Sequence, residues 1–122
     1  MKQEEFIYNL GLMEQRIQQI QQQLELVEQG VSELILLNLG MNDLINSTEK
    51  EIFASVGRGI FIKGKIISEE LIVDVGGKNF VKKTIPEAKE IINKQIKSLE
   101  GIRKDLGYSM KKIEQEAIKM IL

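Results

Sequence analysis

From Phe6 to Leu34 the apolar residues Phe6, Leu10, Met13, Ile17, Ile20, Leu24, Val27, Val31 and Leu34 follow one another at spacings of 4, 3, 4, 3, 4, 3, 4 and 3. A helix that repeats its apolar side chains every 3.5 residues gathers them into a narrow stripe, and only a partner helix covers such a stripe well. The intervening positions are mostly Gln and Glu, so the glutamine-rich run Arg16 to Gly30 reads as the outside of a coiled-coil helix and not as a disordered tract. Beyond Leu34 the seam continues through Met41 and Ile45 with Asn38 interrupting it, while Ile35, Leu36, Leu37 and Leu39 broaden the apolar surface beyond what one partner helix hides. Asn46, Ser47 and Thr48 end the pattern, giving a helix over 2–46.

The other end repeats this arithmetic. Ile92, Ile96, Leu99, Leu106, Met110, Ile113, Ala117 and Met120 keep the 4-3 rhythm, with Arg103 at the one polar seam position, where its long stem can set the register or snorkel outward. The chain's single proline, Pro86, stands where helices favour it, near the first turn, which places a second helix over 86–122. Gly11, Gly30, Gly40, Gly101 and Gly107 each weaken their helix by up to about 1 kcal/mol relative to Ala.

Between the helices a pattern recurs. Val56 to Lys63 (VGRGIFIK) aligns with Val75 to Lys82 (VGGKNFVK), 19 residues on, and each copy reads as apolar strand, glycine turn, apolar strand. Four short strands follow, at 52–56, 60–67, 71–75 and 79–85, grouped as two β-hairpins over 52–67 and 71–85, with Ser68, Glu69 and Glu70 turning the chain between them. One stretch of the first hairpin, GIFIKGKI at Gly59 to Ile66, approaches the phosphate-binding pattern G-x-x-x-x-G-K-[ST]. Ile66 occupies the position of the magnesium-ligating hydroxyl, and Ile60, Phe61 and Ile62 favour extended backbone over a supple loop, so the stretch is strand and not a nucleotide cradle.

Two long helices flanking a short β segment must return along one another. The fold class is therefore α+β: a long antiparallel two-helix coiled coil with a four-strand insert at one end, within a single domain over 1–122. Two small hairpins expose unpaired strand edges and are marginal alone in water, so the insert is expected to oligomerise with those of other subunits into a closed β-barrel platform. The surfaces for that are Ile52, Val56, Gly57, Gly59, Ile60, Phe61, Ile62, Ile66, Leu71, Val73, Val75, Gly76, Gly77, Phe80, Val81 and Ile85.

Composition narrows the chemistry. With no His and no Cys, the commonest general base, the thiol nucleophile and the usual metal ligands are missing. No convergent catalytic set remains, so neither an enzyme nor a bound cofactor or metal is expected. The N-terminal stretch MKQEEFIYNL carries two glutamates where a signal peptide would turn apolar, and no run approaches the roughly 18 apolar residues of a membrane span. A cytoplasmic protein without membrane attachment is the expectation. The formal charge of −1 conceals a division, since residues 1–51 balance at −6 and residues 82–122 at +4, which biases the two ends toward each other.

The helix termini carry the remaining signal. Phe6, Ile7, Tyr8, Leu10, Leu12 and Met13 at one end, and Ala117, Ile118, Met120, Ile121 and Leu122 at the other, would meet at the tip opposite the insert. A two-helix seam cannot hide all of them. Ile7, Tyr8, Leu12, Ile118 and Ile121 lie off the seam, and exposed apolar patches of this kind mark interaction sites.

SVGRGIFIKGKI followed by LIVDVGGKNFVKKTIPEA, set between two heptad helices, resembles the two-hairpin β region of an alpha-class prefoldin subunit. The resemblance implies an ATP-independent molecular chaperone that binds non-native proteins at its coiled-coil tips and delivers them to a group II chaperonin. It also implies a hexamer in which two alpha-type chains join four beta-type subunits on a β-barrel platform, or else self-association. By this resemblance the strands build the platform and the tip residues hold unfolded clients. Two other readings stay open. A structural coiled-coil adaptor shares every feature except the apolar tip, and a nucleic-acid-binding arm would use the lysines of the second helix, although these are mixed with Glu and lack interleaved aromatics.

Overall fold

The computed structural model describes residues 2–122. The elements run α1 (Gln3–Gly40), a 3-10 turn (Met41–Leu44), β1 (Glu51–Gly57), β2 (Ile60–Lys65), β3 (Leu71–Asp74), β4 (Phe80–Lys83) and α2 (Ile85–Ile121). They form two compact units, one made of residues 1–34 with 95–122 and the other of residues 35–94.

In the first unit the heptad stripe governs burial. Val27 and Val31 are buried, and Phe6, Leu10, Met13, Ile17, Ile20 and Leu24 are half-buried among exposed neighbours. On α2 the half-buried positions are Ile96, Leu99, Leu106, Gly107, Met110, Ile113, Ala117 and Met120. The seam positions read from spacing are thus the ones the two helices cover. Gly30 is where they approach closely, since a β-carbon there would stand 3.2 Å from Cδ1 of Leu99. Arg103 is exposed on its seam position and lies 4.0 Å from Glu100, one turn back. It snorkels, as its long stem allows.

In the second unit Met41, Ile85, Ala88 and Ile92 form the apolar core. Along α1 from Asn38 to the 3-10 turn at Asn42, the partners on α2 run backwards, from Asn93 to Lys89. The helices are antiparallel here. The α-helix stops at Gly40, six residues before the expected end at 46, and tightens into the 3-10 turn. Gly40 is a poor helix former, and the short polar side chains of Asn42 and Asp43 favour turns. Ser47 is then 1% exposed, with its hydroxyl donating to the Leu44 carbonyl. The backbone N–H of Asn46 donates to Glu69, and that of Glu49 donates to the Ile66 carbonyl at 2.7 Å, which ties this corner to the hairpin region.

β1 and β2 pair antiparallel from Glu51↔Lys65 to Gly57↔Ile60, with a bulge between Ser55 and Gly57. β3 and β4 pair from Leu71↔Lys83 to Asp74↔Phe80 in a separate two-stranded sheet. Gly59 lies in the turn and Ile60 to Lys65 in β2, so GIFIKGKI is a strand, as its side chains predict. The first turn places Arg58 at φ 48° and Gly59 at φ 78°, and the second places Gly77 at φ 59° and Lys78 at φ 62°. Two successive left-handed residues suit the two-residue hairpin loop, because that backbone twist matches the twist of the strands. The ladder between β3 and β4 ends at Lys83, and Ile85 is helical, not part of the expected strand at 79–85. The reason is Thr84. Its N–H donates to Glu87 Oε1 at 3.0 Å and its hydroxyl accepts from the Glu87 N–H at 3.2 Å, a reciprocal capping box that starts α2 one residue before Pro86.

Candidate functional site

The terminal apolar residues all belong to the first unit, and they divide into two sets. Phe6, Leu10, Met13, Ala117 and Met120 are half-buried on the seam. Ile7, Tyr8, Leu12, Ile118, Ile121 and Leu122 are exposed, all but Leu12 by more than half. The second set is what a two-helix seam leaves over. Its side chains offer large, uncharged contact area with few polar groups, suited to transient apolar contact and to no bond-making chemistry.

The hairpins present a larger surface. Every residue of β1 and β2 is exposed, on both faces of the ribbon. The pairing Phe53↔Lys63 and Ser55↔Phe61 puts Phe53 and Phe61 on one face, and Ala54↔Ile62 with Ile52↔Gly64 puts Ile52 and Ile62 on the other. A two-stranded ribbon with apolar side chains in water on both faces is marginal, so its stability must come from a further surface. In the second hairpin Leu71 and Val73 are half-buried while Ile72 is exposed, the alternation expected of a strand with one covered face. Val56, Ile60, Val75, Phe80 and Val81 are exposed as well, together with Gly57, Gly59, Gly76 and Gly77 in the turns, and Ile66 is half-buried. Ile85, grouped by the sequence reading with this surface, is instead buried in the core of the second unit beside the capping box.

Several exposed apolar residues escaped that reading. Phe53 is 72% exposed, and Ile72 and Ile67 are also open. For Phe53 the signal was the period of two, because a strand exposed on both faces offers its odd and even residues alike. Ile35, Leu36, Leu37 and Leu39 are exposed in the second unit, so the broadened apolar surface on α1 remains uncovered within the chain.

No ion pair joins the two helices among the described residues. The ion pairs are local: Lys63 with Glu51 at 3.6 Å, Lys82 with Glu70 at 3.7 Å, Lys94 with Glu90 at 3.9 Å, and Arg103 with Glu100. None joins α1 to α2 among the described residues, so the opposite balance of the two ends is not expressed as direct pairs. Exposed charges of this kind contribute little in any case. An open recess of about 600 Å³ lies beside the start of α2, lined in part by Glu70, Lys82, Thr84 and Glu87. Two pairs among its polar groups already engage each other, Lys82 with Glu70 and Thr84 with Glu87. Hydrogen bonds from the Thr84 backbone and then from its side chain, with Lys83 nearby, hold the Glu87 carboxyl below its ordinary value. The largest causes of that shift are the capping hydrogen bonds. No helix among the described residues is long and apolar enough to cross a membrane.

Comparison with known proteins agrees with this geometry. The prefoldin subunit family model matches residues 13–121. Prefoldin subunit alpha of Methanobrevibacter smithii is 36% identical over 97 residues, covering 79% of this chain and 66% of that protein. Prefoldin subunit alpha 2 of Thermococcus kodakarensis is 40% identical over 72 residues, covering 58% of this chain and 49% of that protein. The alpha subunit of Pyrococcus horikoshii is 30% identical over 108 residues, covering 85% and 73%. The chain thus spans between about half and three quarters of the length of these relatives. A filamentous PFD from Methanocaldococcus jannaschii, solved by cryo-EM, superposes with a TM-score of 0.85 over 93% of this chain and 96% of its own, and at 17% identity it speaks for the fold alone. Two long helices, two separate antiparallel hairpins and these matches lead to one assignment: the chain belongs to the prefoldin family, in its alpha class.

Proposed function

We propose that this chain is a subunit of an ATP-independent molecular chaperone that holds non-native proteins at the free ends of its helices and delivers them to a group II chaperonin. The observation that supports this most directly is the second apolar set, Ile7, Tyr8, Leu12, Ile118, Ile121 and Leu122, exposed beyond a seam that is already filled. A client segment that has lost its own core offers the complementary surface. Each contact is weak, and several subunits on one assembly raise the effective concentration of contacts, so clients are held without being trapped.

The assembly would be built on the hairpins, with beta-type prefoldin subunits as partners in a complex of two alpha and four beta chains, or with further copies of this chain. The ribbon of β1 and β2, exposed on both faces, supports that reading, because burial in an assembly supplies the stability an isolated ribbon lacks. In this scheme residues 1–122 act as one domain in the cytoplasm, without catalysis, cofactor or nucleic acid.

The test is suppression of aggregation of a chemically unfolded client by the assembled complex. The variant Ile7→Ser/Tyr8→Ser/Ile118→Ser/Ile121→Ser should assemble normally and lose most of the protective effect. If it protects as well as the parent chain, client holding at these ends is wrong. A structural adaptor would then be the better account, because it shares the assembly surface and needs no exposed apolar ends.

A further inference from the structure

The outer face of α2 in the first unit carries a feature that neither client holding nor assembly uses. Lys97, Lys104 and Lys111 stand seven residues apart, each two residues before a seam position, Leu99, Leu106 and Ile113. They therefore fall in one line on the side of α2 turned away from α1, spaced by about 10.5 Å. Lys112 and Lys119 run beside them. All five are exposed, and none is ion-paired among the described residues. Asp105 stands within the stripe, and Glu100, Glu114 and Glu116 lie along its flanks in the same stretch. Within this line Tyr108 is 75% exposed, four residues beyond Lys104 and three before Lys111, and with Lys111, Lys112 and Gln115 it lines a shallow concavity of about 240 Å³.

We propose that this stripe is a docking surface for an extended acidic polypeptide segment of a partner protein, with Tyr108 and its concavity receiving one apolar or aromatic side chain of that segment. From Lys97 to Lys119 the stripe spans roughly 33 Å at about 1.5 Å per residue, the length of about ten residues of extended chain. Three lysines on one line and two beside it, none of them ion-paired among the described residues, supply charge complementarity over that length, and the tyrosine supplies one fixed point of register. A nucleic acid fits the surface less well. The stripe has no arginine for bidentate phosphate contacts and no second aromatic for base stacking. The α1 portion of the same unit carries six acids against one base, which would repel a polyanion as wide as a duplex, whereas a single extended peptide can lie on the far side of α2.

The test uses the whole 122-residue chain in its assembled form and a fluorescein-labelled decapeptide of nine glutamates with a central phenylalanine, followed by fluorescence anisotropy. Binding should be measurable at low salt and weaken as salt is raised, since the contacts are between exposed charges. Lys97→Gln/Lys104→Gln/Lys111→Gln should weaken it about tenfold or more, and Tyr108→Ala a few-fold. Both variants should keep their helix content by circular dichroism, because Gln and Ala are good helix formers. They should also keep the suppression of client aggregation, which separates failure here from failure of the proposed function. The proposal is overturned if the parent chain does not bind the peptide at low salt or if the triple variant binds it equally. It is also overturned if a ten-nucleotide oligo-dT binds as tightly as the peptide and is lost in the same variant, which would make the stripe a nucleic-acid surface.

Discussion

Asn38 on α1 donates from Nδ2 to Oδ1 of Asn93 on α2 at 3.0 Å, and its own Oδ1 is buried without a partner. The position continues the 4-3 rhythm from Leu34 to Met41, so a polar residue stands where the seam calls for an apolar one. Such a residue fixes the register of a helix pair at some expense of stability, and an unsatisfied buried acceptor costs about 1–3 kcal/mol. Asn38→Leu should therefore raise the thermal midpoint measured by circular dichroism. A lowered midpoint would mean that the hydrogen bond to Asn93 outweighs the orphaned acceptor.

Gly30 and Leu99 define a second seam contrast. A methyl at position 30 meets Leu99 Cδ1 at 3.2 Å, tighter than an ordinary contact, whereas one at Gly101 meets nothing within 4 Å. Both residues are helical, so replacing either by Ala gains up to about 1 kcal/mol of helix propensity. Gly101→Ala should deliver most of that gain. Gly30→Ala should deliver visibly less, because Leu99 has to move, and equal gains in denaturant titrations would show that the helices separate without cost.

How much could be seen before the structure depends on which residues carry the pattern. The seam residues from Phe6 to Leu34 and the glycine turns were legible because periodicity and positive φ are local and strongly typed signals. Asn38 was visible only as an interruption, since its partner lies 55 residues away and no local rule links the two. Thr84 and Glu87 had the spacing of a capping box, but Pro86 drew the helix start to itself, and Ile85 was consequently left in a strand. The candidate site divides in the same way. Off-seam residues such as Ile7 and Ile121 followed from the heptad count, whereas Phe53 could be recognised only once β1 and β2 were known to be exposed on both faces, and Ile72 only once Leu71 and Val73 were known to form the covered side of β3.

The capping box gives a pH dependence. Folding holds the Glu87 carboxyl below its ordinary value of 4.5, first through the Thr84 backbone N–H and then through the Thr84 side chain. A lowered folded value means that its contribution is complete above the ordinary value and fades as pH falls through the folded one. Thermal melts between pH 6 and about pH 3 should show a loss of midpoint in the parent chain that is smaller in Glu87→Gln, which keeps a side-chain acceptor but cannot titrate. Thr84→Ala should cost about 1 kcal/mol at neutral pH, as loss of an N-terminal cap does.

The turn glycines test the hairpins separately from their apolar faces. Gly57 has φ 138° and Gly76 φ 129°, a region that residues with a side chain rarely adopt, and a β-carbon at either would meet nothing within 4 Å. Substitution there acts through backbone strain and not through a clash. Gly57→Val and Gly76→Val should therefore impair assembly while leaving helix content nearly unchanged.

Phe53 and Phe61 share one face of the first ribbon, and Ile52 and Ile62 share the other. If assembly buries one face more than the other, removing the apolar groups of that face costs more, because burying a Phe side chain contributes about 1.5–3 kcal/mol. The larger area of the two phenylalanines makes theirs the face to expect in the interface. Phe53→Ser/Phe61→Ser should then reduce the mass seen by light scattering, alone and after mixing with a beta-type subunit, to that of the free chain, while Ile52→Ser/Ile62→Ser should retain part of the assembly. The opposite order would place the isoleucine face inward. Full assembly in both variants would show that the second hairpin, with Ile72 and Phe80, carries the contact.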